Sequence, residues 1–327
     1  MLDTLLRAVA VLTLVWSMGV QAQAVVLYSS NNAETIAIAV GASKKKQADL
    51  QIKSVTGGTG TLLKRIKAEA ANPVADIFWS GGVGTLAAFP EVMEPYESPD
   101  AKAIAPQFRD SKGRYIGVNL HVMVLIVNEK MLRGLPAPKT WSDLMKPEWK
   151  GKFAVTDPSK SGTAFIQVYG LLKQFGRDGL EKITSNAVVV HSSGQVSKSV
   201  VAGEYPVGIT TESSVQGYIN DGHKEIKMIY PNEGTYLGAE GMFLVKGAKN
   251  ARAAKQLYDL LLSKPVQQSL LVEKFRRPTR SDIAVSKLTG LPDLANLKVF
   301  PLSLQVATEE YEQLIALWNL TQTKARR

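Results

Sequence analysis

The chain of 327 residues contains no cysteine. That absence excludes disulfides, thiolate metal sites, cysteine nucleophiles and lipid attachment at a cysteine behind the N-terminal segment. Its three histidines, His121, His191 and His223, have no metal-ligand spacing. A G-x-S-x-G nucleophile elbow is missing, and nothing favours a Ser–His–Asp triad. A P-loop fails as well: counted from Gly57, its second glycine would fall at Leu62. An exported phosphohydrolase would need a metal cluster or a nucleophile with its base, and neither is visible. After the first 24 residues no segment approaches 18 uninterrupted apolar residues, so no later transmembrane helix is expected. Short-period repeats and low-complexity linkers are also lacking. The expectation is a protein without catalytic chemistry, cofactor or resident metal.

What is present begins with a secretory pattern. Arg7 supplies the positive start, Ala8 to Val20 is a short apolar run, and Val20-Gln-Ala22 or Ala22-Gln-Ala24 offers a small-residue cleavage site. Asp3 is the one discordant charge. A cleaved signal over residues 1–24 and an untethered periplasmic product are expected. The net charge is +10, and removing residues 1–24 takes one Arg and one Asp, leaving it unchanged. That balance suits an anionic ligand, although solubility explains it equally well. The Lys and Arg are dispersed, so nucleic acid is not an expected partner. About 300 mature residues exceed what one core usually supports, which predicts two lobes.

Strand-like and helix-like runs alternate throughout. The first half reads Ala24–Tyr28, a helix from Ala33, Leu50–Val55, a helix from Thr59 to Ala71, then Ala75–Trp79. In the second of these helices Leu62, Leu63, Ile66 and Ala70 share a face. The pattern restarts with Val122–Val127, Phe153–Thr156, a helix over Ser161–Phe175 ended by Gly176, then Ala187–Val190, Pro206–Ile209 and Ile226–Tyr230. Met242–Val245, helices at Ala251–Ser263 and Pro265–Phe275, and an amphipathic Thr308–Gln322 complete the chain. This order predicts an α/β fold with mainly parallel sheets.

In such sheets ligands bind beyond the carboxyl ends of the strands. Six loops at those ends are rich in hydroxyls and glycine. Ser29, Ser30 and Asn31 follow the first strand, Thr56, Gly57, Gly58 and Thr59 the second, Ser80 and Gly81 the third. In the later half come Ser161, Gly162, Thr163 and Ala164, then His191, then Glu212 and Ser213. Two of these loops open helices, where unpaired N–H groups and partial positive charge favour an anion. Each alone reads as an ordinary cap or turn. Together they suggest a small anion held from both sides. Glu212 would suit a hydroxyl or ammonium group of that ligand.

Tyr28-Ser-Ser30, Ala75-Asp-Ile-Phe-Trp-Ser80, Trp141-Ser-Asp-Leu144, Pro147-Glu-Trp-Lys-Gly-Lys152, Asp157-Pro-Ser-Lys-Ser-Gly-Thr163 and Ala248 to Lys264 carry a resemblance. They resemble substrate-binding proteins of ABC importers, in the ferric-ion-binding branch with the type II fold. The likeness spans essentially the whole mature chain. It implies two α/β lobes joined by two hinge strands: residues 25–119 with 236–300, and residues 120–235 with 301–327 packed on them. It implies a monomer working with an inner-membrane ABC permease. Ferric-binding members carry paired tyrosines after a Gly-Ile strand; here Gly208-Ile209 leads to Ser213 and Ser214 in those places. The resemblance then favours the members that hold a sugar phosphate or phosphonate, with Tyr236 as a wall of the site. A ferric-ion receptor is the alternative.

Overall fold

The structure is a computed structural model that describes residues 23–46, 50–303 and 309–325. The expected signal segment and its cleavage site lie outside the described residues, apart from the Gln23–Ala24 end. In chain order the elements are β1 (Gln23–Ser29), α1 (Ala33–Lys46), β2 (Leu50–Thr56), α2 (Thr59–Ala68), β3 (Ile77–Gly82), α3 (Val83–Leu86), β4 (Met93–Glu94) and β5 (Ile116–Asn128). There follow β6 (Phe153–Thr156), α4 (Gly162–Asn186), β7 (Ala187–Val190), α5 (Ser193–Val201), β8 (Val207–Thr211), α6 (Glu212–Asn220) and β9 (Ile226–Ile229). The chain then returns through β10 (Leu237–Val245), α7 (Ala251–Leu262), α8 (Lys264–Lys274), β11 (Arg277–Pro278), α9 (Val285–Thr289) and α10 (Tyr311–Ala325).

The strands run in the order β2-β1-β3-β10-β5-β8-β6-β7. Within each lobe the outer strands are parallel, as expected: β2, β1 and β3 in the first, β7, β6 and β8 in the second. The strands between them depart from that pattern. β10 is antiparallel to β3 and β5, and β5 is antiparallel to β8 and β9. The cause is β5 itself. Residues 116–122 pair in the first lobe and residues 123–128 in the second, so one strand serves both sheets. All 13 of its residues are buried. Only the Val122–Val127 half is legible as an apolar run. In the other half Gly117, Asn119 and His121 interrupt the apolar residues, and burial alone reveals the strand.

Each lobe has its own core. In the first, Leu27, Ile77, Trp79, Met242 and Leu257 pack between the sheet and α7. On the opposite face α2 buries Leu62, Leu63 and Ile66. Burial of each such side chain is worth roughly 1.5–3 kcal/mol. Ala70 falls beyond the end of α2 and is exposed. In the second lobe Phe153, Phe165, Tyr169, Ile209 and Trp141 form the core. α10 closes it, burying Tyr311, Leu314 and Trp318 against α4, with Lys173 and Glu310 2.7 Å apart. Gly176, at φ +66°, interrupts α4 where a helix end is expected, and the chain resumes helically to Asn186. No helix among the described residues is long and apolar enough to cross a membrane.

Candidate ligand cleft

Where the two lobes face each other, the strand ends enclose a cleft of ≈ 540 Å³. On the first lobe, Ser30 Oγ lies 2.9 Å from Thr59 Oγ1 and also donates to the Ser80 carbonyl. Ser80 holds φ +84°, a left-handed conformation that a non-glycine residue rarely adopts and that is retained at functional sites. Gly58 is the N-cap of α2 and contributes no side-chain cap. The first N–H groups of that helix therefore have no side-chain acceptor at the N-cap, and Gly58, Thr59 and Thr61 line the cleft.

On the second lobe Ser161 caps α4. Its Oγ accepts the Ala164 N–H at 3.3 Å and lies 2.8 Å from Thr163 Oγ1. Asp157 shapes the preceding turn by accepting the Ser159 N–H and hydroxyl at 2.8 and 2.7 Å. Further along, Ser192 caps α5, and the Thr211 hydroxyl clusters with Ser213 and Ser214 at 3.2 and 3.1 Å.

The two anion-type loops touch each other backbone to backbone. A Cβ built on Gly60 would stand 2.1 Å from the Ser159 carbonyl oxygen, and one on Gly58 2.7 Å from that of Lys160. A Cβ on Gly162 would stand 2.4 Å from the Gly82 nitrogen. Glycine is required here by close approach, since none of these residues has positive φ.

The crossing strands form the floor. Glu240 on β10 is fully buried and receives Asn31 Nδ2 at 3.3 Å, His121 Nε2 at 3.1 Å and Arg276 Nη1. Burial alone would raise this carboxyl. Arg276, with His121 and Asn31, instead holds it down at about 2. Arg276 reaches the floor because Phe275 takes a left-handed conformation at φ +54° and ends α8 just before it.

Twelve of the expected residues line the cleft: Ser30, Asn31, Gly57, Gly58, Thr59, Ser80, Gly81, Ser161, Gly162, Thr163, His191 and Ser213. Five do not. Ser29 is fully buried, and its hydroxyl accepts the Asn31 N–H at 3.1 Å, so it shapes the turn. Thr56 is exposed at the end of β2, outside the lining. Ala164 is buried, with its N–H taken by Ser161. Glu212 is 2% exposed and faces away from the cleft. It accepts Arg277 Nε and Nη2 at 2.5 and 2.9 Å and the Tyr230 hydroxyl. Tyr236 is a core residue: its ring stacks on Trp141 with centroids 5.0 Å apart and covers Gly170, and its hydroxyl donates to Gln174. The sequence reading missed Arg276, His121 and Thr156 as cleft residues. The available signal was the Arg276-Arg277-Pro278 run directly after a helix, which no local pattern ties to the strand ends.

A profile of bacterial extracellular solute-binding proteins matches residues 72–300. The chain belongs to that family. Among solved structures it is similar to the periplasmic binding protein AfuA of Actinobacillus pleuropneumoniae, with fructose-6-phosphate bound. That likeness has 27% identity and a TM-score of 0.83, and covers 90% of this chain and 97% of the other. Among sequences it is 26% identical over 252 residues to a putative 2-aminoethylphosphonate-binding periplasmic protein of Salmonella paratyphi A, covering 74% of this chain and 73% of the relative. It is 23% identical over 293 residues to the Fe(3+)-binding periplasmic protein of Serratia marcescens, covering 86% and 83%. The two-lobed architecture of this solute-binding protein is therefore that of its relatives.

Proposed function

We propose that the protein is the periplasmic receptor of an ABC importer and captures a small phosphorylated compound. Residues 1–24 direct its export and are removed, and the mature monomer delivers its ligand to an inner-membrane permease. It breaks no bonds; its work is binding coupled to closure of the lobes.

The observation that carries this reading is the pair of facing helix starts. α2 and α4 come from different lobes, meet at glycine, and offer hydroxyls and N–H groups to one cleft. Neutral donors of this kind hold a phosphate reversibly, without a catalytic lysine. The fructose-6-phosphate complex of AfuA and the phosphonate named for the Salmonella relative support it.

The ferric reading has its support in the Serratia relative. The donor set speaks against it. Ser213 and Ser214 stand where the resemblance places tyrosines, and hydroxyls without phenolate or carboxylate are poor Fe(III) ligands. Among the described residues no group of three or more His, Asp or Glu could hold a metal ion.

Calorimetry against fructose-6-phosphate, 2-aminoethylphosphonate, inorganic phosphate and ferric citrate tests the reading. Binding of a phosphorylated compound is expected. Tight ferric binding with a visible phenolate–iron band overturns it, and turnover of a phosphate ester overturns the receptor role. Thr163→Asp, which places a carboxylate at the start of α4, is expected to weaken anion binding at least about 100-fold with an unchanged fold. Unchanged affinity would reduce that loop to a helix cap.

A further inference from the structure

The residues facing the cleft are one-sided in charge. Among the described residues that line it, none is Asp or Glu and none is Phe, Tyr or Trp. The cationic side chains in the lining are Lys160 and Arg276, and the imidazole rings of His121 and His191 lie beside them. An ammonium group entering this space would find no counter-charge and no Phe, Tyr or Trp face among the described lining residues.

Arg276 adds a more specific demand. Its Nη1 is held by buried Glu240, while Nε and Nη2 make no hydrogen bond among the described residues. The side chain is 17% exposed, so Glu240 fixes the guanidinium and leaves one edge of its fork for a ligand. Two donors in one plane match the two oxygens of an acid group. Glu240 offsets the charge of Arg276 from behind, but its carboxylate is fully covered and offers the ligand no acceptor. A second polar group without a partner lies in the same cleft, and as a hydroxyl it can donate as well as accept. Thr156 Oγ1 is enclosed without a partner, in a residue that is 2% exposed and lines the cleft. Donors in surplus with no anionic acceptor call for a ligand that is itself rich in acceptors.

We infer that the cleft rejects a cationic group on its ligand and takes a phosphorylated compound carrying a second acidic group, a carboxylate or another phosphate, with Arg276 as the residue that selects it. The inference rests on the phosphate reading above. It narrows that reading by removing the aminoalkylphosphonates.

Three phosphonates with the same two-carbon tether test it by calorimetry on the mature protein: 3-phosphonopropionate, 2-hydroxyethylphosphonate and 2-aminoethylphosphonate. The expected order is carboxylate tightest, by about tenfold over hydroxyl, and ammonium weakest. Arg276→Gln alone would strand Glu240 in the interior, so the companion variant is Arg276→Gln/Glu240→Gln, which removes the buried pair together. It is expected to erase the advantage of the carboxylate and to leave the hydroxyl compound within about threefold. Ammonium binding as tightly as carboxylate overturns the inference. So does a double variant that weakens all three equally, since Arg276 would then hold the phosphonate itself. If none of the three binds, the inference falls, and fructose-6-phosphate and inorganic phosphate in the same assay decide separately whether the phosphate reading falls with it.

Discussion

Substituting Gly60 by alanine should separate folding from binding. The new methyl group would stand 2.1 Å from the Ser159 carbonyl oxygen and 3.2 Å from its carbon, across the junction of the lobes. Neither partner is the flexible end of a side chain, so the overlap is relieved by moving backbone or by parting the lobes. Overpacking of this kind costs about 1–3 kcal/mol, and a backbone contact this close belongs at the upper end. If that cost falls on the closed form alone, affinity drops by about 5- to 150-fold. Within its own lobe the substitution is benign or helpful, because Gly60 lies in α2 and alanine favours helix over glycine by up to ~1 kcal/mol. Thermal melting without ligand should therefore show an unchanged or slightly raised midpoint. Calorimetry with the tightest phosphorylated compound should show weakened binding. Small-angle scattering in saturating ligand should give a larger radius of gyration than wild type. Gly41→Ala is the control: it is also helical, nothing lies within 4 Å of its added carbon, and its affinity should match wild type. Full affinity and full compaction in Gly60→Ala would refute the reasoning.

Two further outcomes are expected. Glu212→Gln leaves Arg277 buried without its counter-charge, and should cost about 3–5 kcal/mol in urea unfolding. Glu212→Gln/Arg277→Met should recover much of that loss, and a cost below about 1 kcal/mol for the single variant would mean the pair is not enclosed in solution. The Glu240 carboxyl is held at about 2 against an ordinary 4.5, so its contribution to stability is complete above pH 4.5 and is lost as pH falls towards 2. Glu240→Gln should flatten the acid side of the stability profile in that window, measured by urea midpoints. Asp143 and Asp282, also held at about 2, leave a smaller residual slope because both are more open to solvent.

What could be read in the sequence was local. A strand followed by small hydroxyl residues and then by a helical period marks a cleft loop wherever it occurs, and Ser30, Thr59 and Ser161 to Thr163 stand where that logic puts them. What failed was the direction of single side chains at those same positions. Glu212 follows β8 as a ligand residue would, yet its rotation on the first turn of α6 aims it at Arg277, 65 residues away. Tyr236 precedes a crossing strand, and its ring is drawn inward by Trp141 above and Gly170 below, neither of which is near it in sequence. Arg276 was missed for the converse reason: a basic residue after a helix usually faces water, and only the buried Glu240 gives it a reason to turn in.

The sharing of β5 between the sheets has a consequence for how the chain acquires its structure. The first sheet is centred on β10, which lies between β3 and β5 but follows them by more than a hundred residues. Until Leu237–Val245 has been made available, β3 and the early half of β5 are open edges, and no rearrangement within residues 23–128 can pair them through β10. The loop that must close is the whole of the second lobe, so its ordering shortens the search for the contact that completes the first. A nascent chain of this design cannot finish its N-terminal half early. Its first sheet can be completed only once Leu237–Val245 is available.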